Sequence, residues 1–149
     1  MLARMSARKR SYPKGVVVRR SYAGKGLFAV RLYKRGERVI EYVGREIGKR
    51  ESETSRSKYL FEISKSRTVD GRPHDNIAGY INHSCRPNCE PYIYRGRVFI
   101  RAKRNIRPGD EFTYDYGREY FNEHIKPYGC RCPTCTRQRP HPSKKVARA

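Results

Sequence analysis

In this chain of 149 residues Ile and Val together outnumber Leu by 18 to 4. β-Branched side chains suit a pleated surface and lose rotamer freedom in a helix, so the bias predicts a mainly β fold. Short strands are predicted at residues 15–19, 26–29, 38–41, 59–63, 92–94, 97–102 and 111–114. Turn chemistry separates them, at Ala23-Gly24-Lys25-Gly26, Lys34-Arg35-Gly36, Asp70-Gly71-Arg72-Pro73 and Arg107-Pro108-Gly109-Asp110. Arg95-Gly96 between Tyr92-Ile93-Tyr94 and Val98-Phe99-Ile100 is a hairpin signal. Helix is predicted only at 47–56, 76–81 and 120–125, and there is no internal repeat.

Leu, Ile, Val and Phe together make 27 of the 149 residues, under the roughly 20% that warns of disorder in a highly charged chain. Twelve Tyr supply apolar bulk that this count omits. The net charge of +21 is also unevenly placed: residues 1–20 carry seven Lys or Arg and residues 131–149 carry six, with no acid in either. The ends therefore read as solvated basic arms around a folded domain of roughly 110 residues, enough to build a core but not a generous one. Such a charge favours an anionic partner, with sequence-independent, salt-sensitive phosphate contact as the functional reading and mere solubility as the plain one. Arg8-Lys9-Arg10 and Lys144-Lys145 suit an address signal or a methylation target equally well. No apolar run approaches the about 18 residues of a membrane span, and no apolar stretch follows the basic start as in a secretory signal.

The five cysteines are Cys85, Cys89, Cys130, Cys132 and Cys135. Three of them within Cys130-Arg131-Cys132-Pro133-Thr134-Cys135 are too crowded for independent disulfides and suit a tetrahedral zinc, with Cys85 or Cys89 as the fourth ligand. Zinc held this way clips the C-terminal segment onto the middle of the domain, and its binding free energy stabilises that contact. Arg131, Arg137 and Arg139 offset the negative charge of four thiolates. One thiol is left over, which points to a reducing compartment. Free thiols without metal are the plain alternative.

Two stretches are more polar than a core requires. Tyr80-Ile81-Asn82-His83-Ser84-Cys85-Arg86-Pro87-Asn88-Cys89 sets Asn and His beside aromatics and cysteines, and Gly109-Asp110-Glu111-Phe112-Thr113-Tyr114-Asp115-Tyr116-Gly117 sends Tyr114 and Tyr116 to one face of a strand end. Singly, each reads as turn capping or aromatic packing. In order with Gly24-Lys25-Gly26-Leu27-Phe28-Ala29, Glu41-Tyr42-Val43-Gly44, Lys58-Tyr59-Leu60-Phe61 and the final cysteine cluster, they resemble the SET-domain protein lysine methyltransferases over about residues 15 to 137. The cysteine cluster resembles the post-SET zinc module.

The resemblance implies several small β-sheets, few short helices and a knot-like C-terminal crossing, with threading that sequence arithmetic does not propose. It implies a basic N-terminal arm at 1–14, a SET domain at 15–119, a post-SET zinc module at 120–137 and a basic tail at 138–149. It implies S-adenosylmethionine as cofactor on one face, near Gly24, Lys25, Gly26, Tyr59, Asn82 and His83, and a target lysine entering from the other. Tyr116 matches the catalytic tyrosine, Tyr42 a tyrosine lining the lysine channel, and Tyr114 the position that tunes how many methyl groups are added. Cys85, Cys130, Cys132 and Cys135 match the structural zinc ligands, leaving Cys89 free. The chain departs from the family at Lys25, often larger and apolar; at Gly79, often Arg; in its C-x2-C rather than C-x4-C spacing; and in a short insert between Gly44 and Asn82.

The expected reaction is in-line methyl transfer to a neutral lysine amine, with the ammonium disfavoured by a dry channel beside a positive sulfonium. Tyr114 is expected to favour mono- or dimethylation. The substrate is expected to be a histone or another DNA- or ribosome-associated protein. A groove made acidic by Glu62, Asp70, Asp75 or Glu90 would ease the approach of a basic substrate to a basic enzyme. Docking on nucleic acid that also carries the substrate would do the same. Lys9, Lys14, Lys144 and Lys145 are candidate sites of self-methylation. The location is expected to be the nucleus or chromosome in a eukaryote or a host, or the cytoplasm in a bacterium. The alternatives are a non-catalytic scaffold that binds nucleic acid or chromatin-like complexes, and a zinc-stapled interaction protein without a cofactor site.

Overall fold

The computed structural model describes residues 12–72 and 75–138. Most of both arms, including Arg8-Lys9-Arg10, Arg139 and Lys144-Lys145, lies outside the described residues. Four small sheets dominate. Strands β1 (Val16–Ser21) and β2 (Gly24–Ala29) form an antiparallel hairpin. Strand β3 (Arg38–Tyr42) pairs with β9 (Arg97–Ala102), which also pairs with β8 (Cys89–Tyr94). Strands β4 (Arg45–Gly48), β6 (Arg67–Asp70) and β5 (Leu60–Ser64) make a third sheet with β6 in the centre. The expectation of many short strands holds, and the hairpin signal at Arg95-Gly96 joins β8 to β9. Both turn residues have positive φ, 50° and 74°, the conformation whose twist matches the flanking strands.

Strands β4, β6 and β7 (Asn82–His83) were not among those expected, and β4 displaces the start of a predicted helix. Ile47 is the buried member of β4, opposite Thr68, so the helical stretch contracts to α1 (Lys49–Thr54), which buries nothing. Without an apolar face a helix has little to hold it. The stretch 76–81 is a single 3-10 turn at Ile77–Tyr80. The helix expected at 120–125 extends both ways, through α2 (Arg118–Tyr120), a wider-wound turn at Phe121–Ile125 and a 3-10 turn at Lys126–Tyr128.

The fourth sheet is the smallest and joins the two polar stretches. Strand β7 (Asn82–His83) runs parallel to β10 (Thr113–Tyr114), with Asn82 opposite Thr113 and His83 opposite Tyr114. Asn88, nearly buried, clamps the pair: its amide donates to the Glu111 carbonyl (2.7 Å), and its side-chain oxygen accepts from the Thr113 amide (2.9 Å). This parallel contact is the part of the expected knot-like crossing that the strand pairings describe. Leu27, Tyr33, Ile81, Val98, Ile100, Ile106 and Phe112 fill the core beneath the sheets. Cys89 lies in that core, 1% exposed.

Candidate active site and metal centre

Two residues beyond the parallel pair stands Tyr116, whose hydroxyl donates to the Ile81 carbonyl and whose amide donates to His83 Nδ1 (3.1 Å). The ring is boxed by aromatics: Tyr114 at 4.8 Å between centroids, Tyr120 edge-on at 5.0 Å and His83 at 5.5 Å. Burial, then the neighbouring phenols, raises the Tyr116 hydroxyl well above its usual range. Burial likewise raises Tyr42 and Tyr114. All three therefore stay neutral donors. His83 is pushed down by burial, against a weaker pull from Asp115, and is neutral as well.

Two cavities and an outer groove meet at this tyrosine. The smaller, about 70 Å³, is lined by Tyr42, Tyr59, Phe61, Tyr114, Tyr116 and Tyr120, with Lys58 at its edge and no carboxylate. Tyr42 is fixed there by donating to the Tyr59 carbonyl (2.7 Å). The larger, about 440 Å³, is lined by Asn82, His83, Tyr116, Tyr120, Tyr128, Arg131 and the turn residues Tyr22 and Ala23. Lys58, Tyr116 and Tyr120 border both, so one wall of phenols separates a nucleoside-sized cavity from a narrow slot.

The expected cofactor residues divide. Asn82 and His83 line the larger cavity, and the Asn82 amide donates to the Lys25 carbonyl (3.0 Å). Gly24 and Lys25 face a separate groove, while Tyr22 and Ala23 of the same turn face the cavity. Gly26 has a structural reason of its own, because a Cβ there would lie 2.5 Å from the Glu111 carboxylate. Tyr59 lines the slot rather than the larger cavity. Gly79 also lines the slot, so the family's usual Arg has no counterpart there. Tyr22, Lys58, Tyr120, His124 and Arg131 were missed as site residues. Tyr120 and His124 carried one signal, an aromatic and a histidine at helical i,i+4 spacing, and their rings pack tilted against each other at 4.6 Å.

Outside the slot a groove of about 640 Å³ carries Glu53, Glu62, Glu119 and Glu123. Of the acids expected to soften the charge, only Glu62 lies in it. Asp70 is buried and held by Arg72 (2.6 Å) and Ser57 (2.8 Å). Glu90 pairs with Arg101 on the β8–β9 sheet, and Asp75 does not line the groove.

The Sγ atoms of Cys85, Cys130, Cys132 and Cys135 lie within 4.8 Å of one another, with Cys85 at 3.5 Å from Cys135 and 3.9 Å from Cys130. A tetrahedral zinc with Zn–S bonds of about 2.3 Å needs S···S edges of about 3.8 Å, so the donor set fits. The open choice between Cys85 and Cys89 closes on Cys85. Geometry decides it: Cys89 lies in the core outside the thiol cluster, while burial raises the thiols of Cys85 and Cys130 as it does that of Cys89. Burial opposes ionisation of Cys132 too, but the Cys85 and Cys135 amides and the neighbouring thiols bring it down to about 6, as a thiolate ligand requires. The short C-x2-C spacing works because Pro133 opens helix α3 (Pro133–Gln138) and the first turn carries Cys135 back beside Cys132.

Residues 24–117 match the SET domain family. The chain is 36% identical over 132 residues to "Histone-lysine N-methyltransferase trr" of Drosophila melanogaster, covering 80% of this chain and 5% of that protein. It is 38% identical over 125 residues to "Histone-lysine N-methyltransferase, H3 lysine-4 specific" of Schizosaccharomyces pombe, covering 74% and 13%. Among solved structures, "Humanized mutant of the Chaetomium thermophilum Polycomb Repressive Complex 2 bound to the inhibitor GSK126" aligns with a TM-score of 0.63 and 33% identity over 71% of this chain and 15% of that one. The chain thus spans a small fraction of these relatives. No helix among the described residues is long and apolar enough to cross a membrane.

Proposed function

The chain belongs to the SET domain family, and from that premise we propose that it methylates the side-chain amine of a protein lysine, with S-adenosylmethionine as donor. The observation that carries the reading is the shared wall: Tyr116 borders both the larger cavity and the slot. The substrate is a histone or another nucleic-acid-associated basic protein. The four glutamates outside the slot support that choice, because they reverse the sign of a +21 chain where such a substrate approaches. The setting is chromatin in a reducing compartment. Residues 15–119 form the transfer domain and 120–137 the zinc module.

When bound, S-adenosylmethionine supplies an activated methyl group on a sulfonium. The larger cavity fits it: Asn82 and the backbone about His83 offer polar partners, Tyr120 and Tyr128 offer apolar faces, and Lys58 and Arg131 offer cations for a carboxylate. Lys25 and Gly24 act from behind, by holding the turn and Asn82. On the slot side Tyr42 and Tyr59 flank the lysine stem, and the Tyr116 hydroxyl holds the amine in line. No carboxylate lines the slot, and burial keeps the phenols of Tyr42, Tyr114 and Tyr116 protonated, so these residues supply no base there. The ammonium loses its proton to water to give the neutral amine, helped by desolvation and by the positive charge of Lys58 in the slot's lining. Alignment is the main source of rate, several kcal/mol by effective-molarity arguments. Zinc held by Cys85, Cys130, Cys132 and Cys135 is structural and fixes the wall carrying Gly129, Cys130, Arg131 and Cys132.

Incubation with methyl-labelled donor and a histone mixture tests the reading. Label on lysine is the expected result. Donor binding without label on any basic protein offered would remove the enzymatic reading and favour the scaffold. Tyr114, 7% exposed and against Tyr116, leaves little room for a methylated amine to turn. Wild type is expected to stop mainly at one methyl group, and Tyr114→Phe to raise the share of di- and trimethyl product. A mass-spectrometric time course identical for both proteins would exclude this role.

A further inference from the structure

We propose that the groove along the β1–β2 hairpin is a docking site for the phosphate backbone of duplex DNA. The groove holds about 520 Å³ and is lined by Tyr12, Val18, Arg19, Arg20, Ser21, Gly24 and Lys25, with no carboxylate among them. Arg20 lies directly opposite Lys25 in the hairpin register. Like charges facing each other across an antiparallel pair destabilise it, and Arg19, Arg20 and Lys25, none of them in an ion pair among the described residues, share one concave lining that holds no acid. An array of cations left uncompensated in a concave surface is complementary to a polyanion. Tyr12, 38% exposed, is part of the lining, and these lining residues belong to no helix, so the contact is to phosphates and independent of sequence.

The choice of DNA rests on the proposed function, in which a DNA-packaged protein is the substrate. Docking through this face answers how two strongly basic proteins meet: both bind the same polyanion. The other side of the same turn, Tyr22 and Ala23, lines the larger cavity, so docked DNA lies next to the site without occupying it.

The test uses the full chain and a fluorescent duplex of about 20 base pairs, with anisotropy read across a salt series. Because Arg19 and Arg20 are exposed, the double variant Arg19→Ser, Arg20→Ser is expected to fold. It should bind at least about tenfold more weakly near 0.1 M salt, with a salt slope smaller in magnitude by about 1.8, or about 0.9 per lost phosphate contact. Its rate on a free histone peptide should match wild type while its rate on nucleosomes falls at least about tenfold. Unchanged DNA affinity and slope would overturn the proposal. So would loss of binding in Lys144→Ser, Lys145→Ser alone, or Arg19- and Arg20-dependent binding of single-stranded RNA but not of the duplex. The anisotropy arm needs no methyl transfer, so an inactive wild type that still loses DNA affinity in the variant sinks the enzymatic reading and leaves this one standing.

Discussion

Tyr116→Phe is expected to lower turnover on a peptide substrate by about a hundredfold or more while leaving S-adenosylhomocysteine affinity within a few-fold of wild type. The phenol sits on the shared wall, bonded to the Ile81 carbonyl. Its ring, packed by Tyr114, Tyr120 and His83, is kept in the variant, and so is the shape of the larger cavity. What goes is one oriented hydroxyl, which donates to the Ile81 carbonyl and so turns its oxygen lone pair to accept from the amine where amine and methyl must line up, and a misplacement of about 1 Å there costs on the order of 10²-fold. Stability should fall by only about 1 kcal/mol, the usual worth of one hydrogen bond. Single-turnover kinetics beside calorimetric binding separate the two effects. Equal losses in binding and turnover would make Tyr116 a wall residue rather than a catalytic one.

Zinc removal is expected to be the largest structural perturbation. Wild type purified under reducing conditions should carry one zinc per chain, and either a strong chelator or Cys132→Ser should lower the melting temperature markedly. In small metal sites the binding free energy is itself folding free energy, about 10–16 kcal/mol in isolated zinc-finger peptides, comparable with the about 5–15 kcal/mol that holds a whole domain. Cys130 and Cys132 also line the larger cavity, so S-adenosylhomocysteine affinity should fall with the metal, by at least about tenfold. Cys89→Ser is the control: it disturbs a core thiol, and its zinc content should stay at one. Metal-free wild type with unchanged melting and unchanged cofactor binding under chelator would remove the zinc centre. Because neutral thiols must lose protons to bind, zinc affinity should weaken as pH falls, in a titration of metal content against pH.

The parts of this architecture legible in the sequence are those with local causes. β-Branched bias located most strands, and Arg95-Gly96 marked its hairpin because two positive φ angles are a local demand. The crowding of Cys130, Cys132 and Cys135 announced a metal for the same reason. Non-local effects escaped. Ile47 reads as the first apolar residue of a helix until Thr68 is placed opposite it, and Arg67–Asp70 reads as polar until strands β4 and β5 are placed on either side of it. Site residues followed the same division. Asn82, His83 and Tyr116 stand in dense, recognisable stretches, whereas Tyr22, Lys58 and Arg131 are unremarkable until the fold brings them to one cavity. The acids were misjudged for the converse reason: Asp70 and Glu90 are bound to arginines that the sequence alone does not pair with them.

The parallel contact of β7 with β10 has a kinetic corollary. It closes only after some thirty residues of intervening chain have formed the β8–β9 hairpin, and the thiol cluster reaches from residue 85 to 135. Pairings so distant along the chain carry a loop-closure cost before any contact repays it. On the proposed function the site is expected to mature late: a C-terminally nicked polypeptide should retain most of its sheets and show no methyl transfer.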